Sequence, residues 1–244
     1  MSPTTDSDVA TGPAQNLRVL GVEVTEGLRA ILREPAALFF SVIMPVMFFA
    51  LFATMFGNQP AMSGLPFAAT MLATYGTFGV VSVMLVQPGV SVAEDRTRGW
   101  LRIKKVSAAP VGATIAGKVL AALPYALTVL IGISAVSLLV AGPVLGVGAW
   151  LRLVTVLMFG SLPFALLGLA VGFVASSNAT VAILNAALFP MVIASGLWFP
   201  LEILPEFVQS LAPFLPTYHL AQLALAQLTG ADALLHVVAL LVTT

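Results

Sequence analysis

Residues 111–140, VGATIAGKVLAALPYALTVLIGISAVSLLV, carry a single charged side chain, that of Lys118. A helix needs about 20 mostly apolar residues to cross the roughly 30 Å of hydrocarbon in a bilayer. This run is longer than that, so it predicts a membrane-spanning helix. A chain built on such runs is expected to be an all-α integral membrane protein with almost no soluble domain.

Apolar runs on both sides of this one extend the prediction to the whole chain. Runs of spanning length cover residues 36–56, 67–93, 149–175 and 179–199. The last run, 232–244, would be only about 20 Å long as a helix. Either the sixth helix begins earlier, near His219, or the chain is clipped before its natural end. The prediction is a six-helix transmembrane bundle.

The composition supports a membrane protein and gives no sign of an active site. Hydrophobic residues make up 59% of the chain and charged residues 8%, against roughly a quarter charged in soluble domains. There is no cysteine, which excludes disulfides and thiolate metal sites. The middles of the predicted spans contain no Asp or Glu, whereas ion-coupled transporters bury ionisable residues along their path. We therefore expect no enzyme, and any driving energy should come from outside the membrane domain.

The basic residues fall into two clusters that predict the orientation in the membrane. Of ten Lys and Arg residues, six lie between Arg96 and Lys118 and three between Arg18 and Arg33. Clusters of this kind in an apolar chain indicate membrane loops and not nucleic-acid binding. If both clusters lie on the cytoplasmic side, Arg152 is the only basic residue outside. The N-terminus is therefore predicted to be cytoplasmic. Residues 1–16 lack the apolar segment of a signal peptide and are interpreted as a disordered cytoplasmic tail.

Residues 17–34 form an amphipathic pattern directly before the first span. Apolar side chains recur at helical spacing on one face, and Glu23, Glu26, Arg29 and Arg33 lie on the other. This pattern predicts a helix that lies in the membrane interface and contacts lipid. A short soluble helix is the alternative, which its position beside a span disfavours.

The densest polar stretch of the chain is residues 94–105, EDRTRGWLRIKK. Trp100, Leu101 and Ile103 alternate with Arg102 and Lys104, which gives a short element with one apolar and one charged side. Two interpretations remain open. It is a solvated basic loop that only fixes the topology, or it is a docking element for a cytosolic partner.

Three smaller motifs have structural interpretations. Residues 112–118 imitate a P-loop, but Val119 replaces its Ser or Thr and no strand precedes it, so nucleotide binding is rejected. Lys118 is instead expected to reach the headgroups. Residues 168–172 form a GxxxG motif, which allows close helix packing without naming the partner helix. His219 and His236 lie far from any plausible ligand cluster in the sequence.

Three stretches resemble the ABC transporter type-2 permeases, whose architecture is shared with the ABCG-like exporters. The resemblance covers residues 17–244. The first motif consists of residues 28–35 together with Met44 and Pro45. The second consists of residues 94–102 together with 109–111 and 117–118. The third consists of SGLWFPLEILP at 195–205 together with LPTYH at 215–219. The family usually has Glu and Thr where this chain has Thr97 and Trp100.

The resemblance implies a set of roles for these segments. The predicted cytoplasmic coupling loop, 94–110, would contact a separate ATP-binding cassette subunit that binds ATP and magnesium, since this chain needs no cofactor of its own. The interfacial helix would add Arg29 and Arg33 as a second contact, and residues 200–231 would form an extracellular re-entrant cap. A second permease copy would complete a homodimer. The implied coupling residues are Glu94, Asp95, Arg96, Arg98, Gly99, Leu101, Arg102 and Lys104.

The expected function is therefore that of a permease subunit in an ATP-driven exporter of the cytoplasmic membrane, in a bacterial cell. Because the spans offer few charges, its substrate is expected to be hydrophobic or amphipathic, such as a drug, a natural product or a lipid. A polysaccharide or lipid-linked glycan exporter is the alternative within the family, although only three Tyr and three Trp are available for stacking on sugars. A membrane scaffold without transport activity is the alternative outside it.

Overall fold

The computed structural model describes residues 20–22, 24–26, 29, 43–56, 65–99, 111–230 and 234–243. Within these ranges the fold is all-helical and contains no strand, as predicted. Two 3₁₀ helices cover Leu201–Ile203 and Ala212–Phe214. The helices are α1 (Met44–Phe56), α2 (Phe67–Thr97), α3 (Val111–Ala141), α4 (Val147–Gly160), α5 (Leu162–Val174), α6 (Ser177–Ala194), α7 (Glu206–Leu211), α8 (Pro216–Thr229) and α9 (Leu234–Thr243).

Four helical stretches in the described part of the chain are long and apolar enough to cross a membrane. They are Phe67–Thr97, Gly112–Ala141, Val147–Val174 and Ser177–Ala194. The predicted first span, 36–56, is described only from residue 43, and α1 within it is apolar but shorter. The structure therefore supports four of the six predicted spans.

The third of these stretches is one span bent at Ser161. Pro163 lies in the first turn of α5 and has no N–H to donate to the preceding turn. Beside it, the Ser161 hydroxyl donates to the Met158 carbonyl at 3.0 Å. The break thus separates α4 from α5 without ending the span.

Helix α2 is the centre of the bundle. It packs against α1, α3, α4, α5, α6 and α8, and most of its side chains are buried. The sequence predicted that this span ends at residue 93. The helix instead continues through Pro88 to Thr97, so the first four residues of the predicted loop 94–110 are helical.

Helices α8 and α9 form a hairpin, in which most of the described side chains of α9 are exposed. Gly230 ends α8 with a left-handed backbone (φ 71°), and its N–H donates to the Ala226 carbonyl at 2.9 Å. Leu220 of α8 and Leu240 of α9 both lie against Gly160, so the two helices run antiparallel beside the bend of the third span. The structure therefore has no continuous sixth helix from His219 onward, because α8 ends at Gly230.

Candidate functional site

The charged end of α2 contains five of the predicted coupling residues. Glu94, Asp95 and Arg96 lie in its last turn, and Arg98 and Gly99 follow it. The backbone N–H of Gly99 donates to the Arg96 carbonyl at 3.1 Å, and Gly99 has a left-handed backbone with φ of 77°. A glycine in this conformation ends a helix without the steric penalty of a side chain. Gly99 thus fixes where α2 stops.

One side of this end faces α3 through a buried ion pair. The Lys118 ammonium lies 2.8 Å from the Asp95 carboxylate and donates to the Ser91 hydroxyl at 2.8 Å. The Lys118 side chain is 6% exposed and that of Asp95 is 21% exposed. A buried ammonium needs such a partner, because removal from water penalises an isolated charge strongly. The prediction that Lys118 reaches the headgroups was wrong.

The next residue, Arg96, faces the end of α5. Its guanidinium donates to the Phe173 carbonyl at 2.7 Å and to the Ala175 carbonyl. The last carbonyls of a helix have no N–H partner in their own helix and carry a partial negative charge. Arg96 therefore caps α5 from α2. We call Asp95, Arg96 and Lys118 the α2 tether.

The opposite side of the same turn faces outward. Arg98 is 63% exposed and lies 3.4 Å from the carboxylate of Glu94, which is one helical turn before it and 26% exposed. Ion pairs between residues four apart at a helix surface contribute little to stability. The end of α2 therefore has an inward side made by the tether and an outward side made by Glu94 and Arg98.

The other predicted contact residues are described only in part. Leu101, Arg102 and Lys104 lie outside the described residues, and so does Arg33. Arg29 is helical and forms an exposed ion pair with Glu26 at 2.8 Å. Among the described residues, those at the start of the predicted coupling segment lie together. The segment that contains Arg29 does not lie with them.

Helix α5 meets α2 through its GxxxG motif. A Cβ atom at Gly168 would overlap the carbonyl oxygen of Leu85, and one at Gly172 would overlap that of Gly89. A Cβ at Gly89 would in turn lie 2.5 Å from the Gly168 carbonyl oxygen. The two backbones are thus in direct contact. We call Gly89, Gly168 and Gly172 the glycine seam; the sequence indicated its packing role but not its partner.

At the far end of α2 the side chains are aromatic. Trp198 stacks on Phe48 of α1 and contacts Phe78 of α2 and Phe189 of α6, with ring centroids 5.2 to 5.9 Å apart. Tyr75 donates a hydrogen bond to the Trp198 carbonyl at 3.3 Å. Sequence analysis did not find this group, because its members are far apart in the chain. The aromatic cluster consists of Phe48, Phe49, Phe52, Phe56, Phe67, Tyr75, Phe78, Phe189, Trp198 and Phe199.

The two histidines meet across the α8–α9 hairpin. Their Nδ1 atoms are 3.2 Å apart, and His219 Nε2 lies 2.8 Å from the Pro213 carbonyl. Because a carbonyl only accepts, Nε2 of His219 is the donor. The two residues therefore contact each other, although they are far apart in the sequence. Among the described residues, no group of three or more His, Cys, Asp or Glu side chains could hold a metal ion.

Comparison with known proteins adds two similarities. The sequence profile described as "ABC-2 type transporter" matches residues 20–228. A Bacillus subtilis protein named "Putative transport permease YvfS" is 22% identical over 203 residues, which cover 83% of this chain and 82% of that protein. The profile match includes α1 to α7, most of α8 and the charged end of α2.

Proposed function

This chain belongs to the ABC-2 type transporter family, and we propose that it is the permease subunit of an ATP-driven exporter. It is a membrane protein and a transport subunit without catalytic activity of its own. Permeases of this family work with ATP-binding cassette subunits in general. In our proposal that subunit is a separate polypeptide, which binds the ATP and magnesium.

The observation that carries the proposal is the two-sided end of α2. Its outward side presents Glu94 and the exposed Arg98, which suit contact with a partner protein. Its inward side is connected to α3 through the buried Lys118 and the partly buried Asp95, and to α5 through the partly buried Arg96. A force applied to the outward side would therefore reach the helices of the bundle. We propose that Leu101, Arg102 and Lys104 continue the contact surface, with Arg29 and Arg33 beside it.

The proposed substrate is hydrophobic or amphipathic. Large apolar side chains are exposed on the outer faces of the helices, among them Phe48, Phe159 and Phe189. The buried charge of Lys118 is matched by Asp95. A path lined by such surfaces offers apolar contact and few charges, which favours drugs, natural products or lipids.

Two copies of the chain are proposed to form the transport path between them. Most side chains of α2 are buried, whereas only four of the 18 side chains of α6 are buried. An exposed apolar helix face in a membrane suits either lipid or a second copy. We propose that one such face pairs with the second copy in a homodimer and that the others contact lipid.

The membrane placement follows from the charges. We propose that the end of α2 and residues 1–34 lie on the cytoplasmic side of a bacterial cell membrane, because nine of ten basic residues then lie inside. Residues 200–231 would belong to the outer half as a re-entrant segment. The contact between Arg152 of α4 and the Gln227 carbonyl of α8 supports this, since Arg152 is the one basic residue left outside.

Transport can be tested in inside-out vesicles that contain the permease and the ATP-binding protein encoded beside it. We expect ATP-dependent accumulation of an amphipathic dye, rhodamine 6G, inside these vesicles. Arg98→Gln should lower both dye accumulation and co-purification of the ATP-binding protein. The matched variant Arg152→Gln, at the other end of the bundle, should leave co-purification unchanged. If ATP hydrolysis occurs without any dye or lipid movement, the exporter proposal is wrong.

A further inference from the structure

Arg96 contacts the permease itself, although Thr97 and Arg98, which follow it in the chain, are exposed. Its guanidinium donates to two carbonyls at the end of α5, those of Phe173 and Ala175. A planar guanidinium can hold two acceptors at once, which a lysine ammonium does less well. Its charge also matches the negative end of the α5 dipole. Arg96 is thus directed at a helix end inside the protein.

The same contact includes the beginning of α6. The Ala175 carbonyl also accepts a hydrogen bond from the Thr180 hydroxyl at 3.5 Å. Ser176 caps α6 by accepting from the backbone N–H of Ala179 at 3.4 Å. The turn between α5 and α6 is therefore held by groups on both helices and by Arg96 of α2. A displacement of Arg96 would displace the start of α6.

The second part of the tether lies on the side of α2 that faces α3. Asp95 and Lys118 lie on either side of residues 100–110 in the sequence, and their ion pair holds the end of α2 to the start of α3. The glycine seam then keeps α2 and α5 in backbone contact farther along. Neither helix can slide past the other without overlap of backbone atoms, so the pair behaves as one rigid body.

We propose that Arg96 is a positioning residue that carries the displacement of the α2 end into the α5–α6 turn, and is not a contact with the ATP-binding subunit. The inference deepens the proposed function and rests on it for the source of the force. The tether would move α2, α3, α5 and the first turn of α6 together. Of the predicted coupling residues, Glu94 and Arg98 remain proposed contacts, whereas Asp95 and Arg96 act within the permease.

The absence of cysteine from the sequence allows clean single-cysteine reporters. Thr97→Cys places one at the exposed end of α2, and Asn178→Cys places one at the exposed start of α6, beyond the tether. Each is labelled with a membrane-impermeant maleimide in inside-out vesicles containing the complete transporter. Labelling rates are compared without nucleotide and after trapping with ATP and vanadate, in the Arg96 and Arg96→Ala backgrounds.

We expect both reporters to respond to nucleotide when Arg96 is present. In Arg96→Ala the response at position 97 should remain and the response at position 178 should be lost. Without nucleotide, labelling at position 178 should become about tenfold faster, as expected for loss of charge-assisted hydrogen bonds. Arg96→Lys should restore part of the response. Arg152→Ala, which removes another arginine-to-carbonyl contact from a different helix end, should change neither reporter.

The outcomes separate the two proposals. If position 178 responds equally in Arg96→Ala, or its nucleotide-free labelling is unchanged, the tether does not carry the displacement. If neither reporter responds to nucleotide with Arg96 present, the proposed ATP-driven function fails, and the nucleotide-free rate alone decides whether Arg96 holds the turn. Size-exclusion profiles of the purified variants show whether each is folded; if Arg96→Ala is not, Arg96→Lys is compared in its place and must show a smaller change of the same kind.

Discussion

The glycine seam and the aromatic cluster are two ways in which α2 contacts its neighbours. At the seam the backbones of α2 and α5 touch, with carbonyl oxygens where a Cβ atom would otherwise lie. In the cluster α2 meets α1 and Trp198 through rings whose centroids are 5.2 to 6.4 Å apart. The first contact contains no side-chain torsion, whereas the second consists of side chains that can rotate.

This difference predicts which neighbours move with α2. Backbone contact has one low-energy arrangement, since neither carbonyl can turn away without breaking its helix. Aromatic pairs are favourable over a range of centroid separations, about 4.5 to 7 Å, and in several orientations. Helix α5 should therefore follow α2, while α1 and the segment around Trp198 can shift against it. Sub-ångström displacements of α2 would be transmitted to α5 through the glycine seam, whereas the side chains of the aromatic cluster would absorb them.

The largest effect is expected from Gly168→Leu, which breaks the seam. The new side chain would collide with the Leu85 backbone, which cannot yield, so we expect a loss of more than about 3 kcal/mol of stability and little folded protein. The measurement is the monodisperse fraction on size exclusion together with unfolding in SDS. Gly112→Leu is the matched control, because nothing lies within 4 Å of a Cβ there. Equal behaviour of the two variants would show that the helices are not in backbone contact.

A smaller effect is expected where the tether continues the seam toward α3. Lys118→Met removes the ammonium from the largely buried Asp95 carboxylate and should lower the free energy of unfolding by about 3 kcal/mol. The double variant with Asp95→Leu should recover most of that loss, since an apolar pair of similar volume replaces the ions. Unfolding in SDS measures both.

The exposed pair of Arg29 and Glu26 provides the control for this prediction. Both side chains are about three-fifths exposed, and pairs of this kind contribute roughly 0 to 1 kcal/mol. Arg29→Met should therefore leave the unfolding curve nearly unchanged. If Lys118→Met behaved in the same way, the ion pair would not hold α2 to α3.

The sequence was sufficient for the parts of the fold that depend on local composition. The apolar runs predicted helices at 67–93, 111–140 and 149–175, and the structure has helices there with ends shifted by a few residues. The gap between the predicted runs 149–175 and 179–199 lies at the end of α5 and the start of α6. Periodicity and turn residues are properties of neighbouring positions, so they are visible in one sequence.

The sequence was insufficient where two distant residues decide the outcome. As an isolated charge near a membrane surface, Lys118 is expected to reach the headgroups. It instead pairs with Asp95, which lies more than twenty positions earlier in the sequence. Similarly, the GxxxG motif could not name α2 as its partner, and His219 and His236 meet only because Gly230 reverses the chain. Two arginines with different contacts also lay in one predicted loop: Arg96 and Arg98 are two positions apart, and the helix directs them to different sides.

The smallest effect is expected from Tyr75→Phe inside the aromatic cluster. Its hydroxyl donates to the Trp198 carbonyl at 3.3 Å, which is longer than is usual for a hydrogen bond from a hydroxyl group. Its loss should lower the free energy of unfolding by at most about 1 kcal/mol, because the ring remains packed against Phe49 and Phe52. Trp198→Phe should also be tolerated, because the buried indole N–H has no hydrogen-bond partner among the described residues. A loss as large as that of Gly168→Leu would mean that the cluster is as rigid as the seam, and α1 would then have to move with α2.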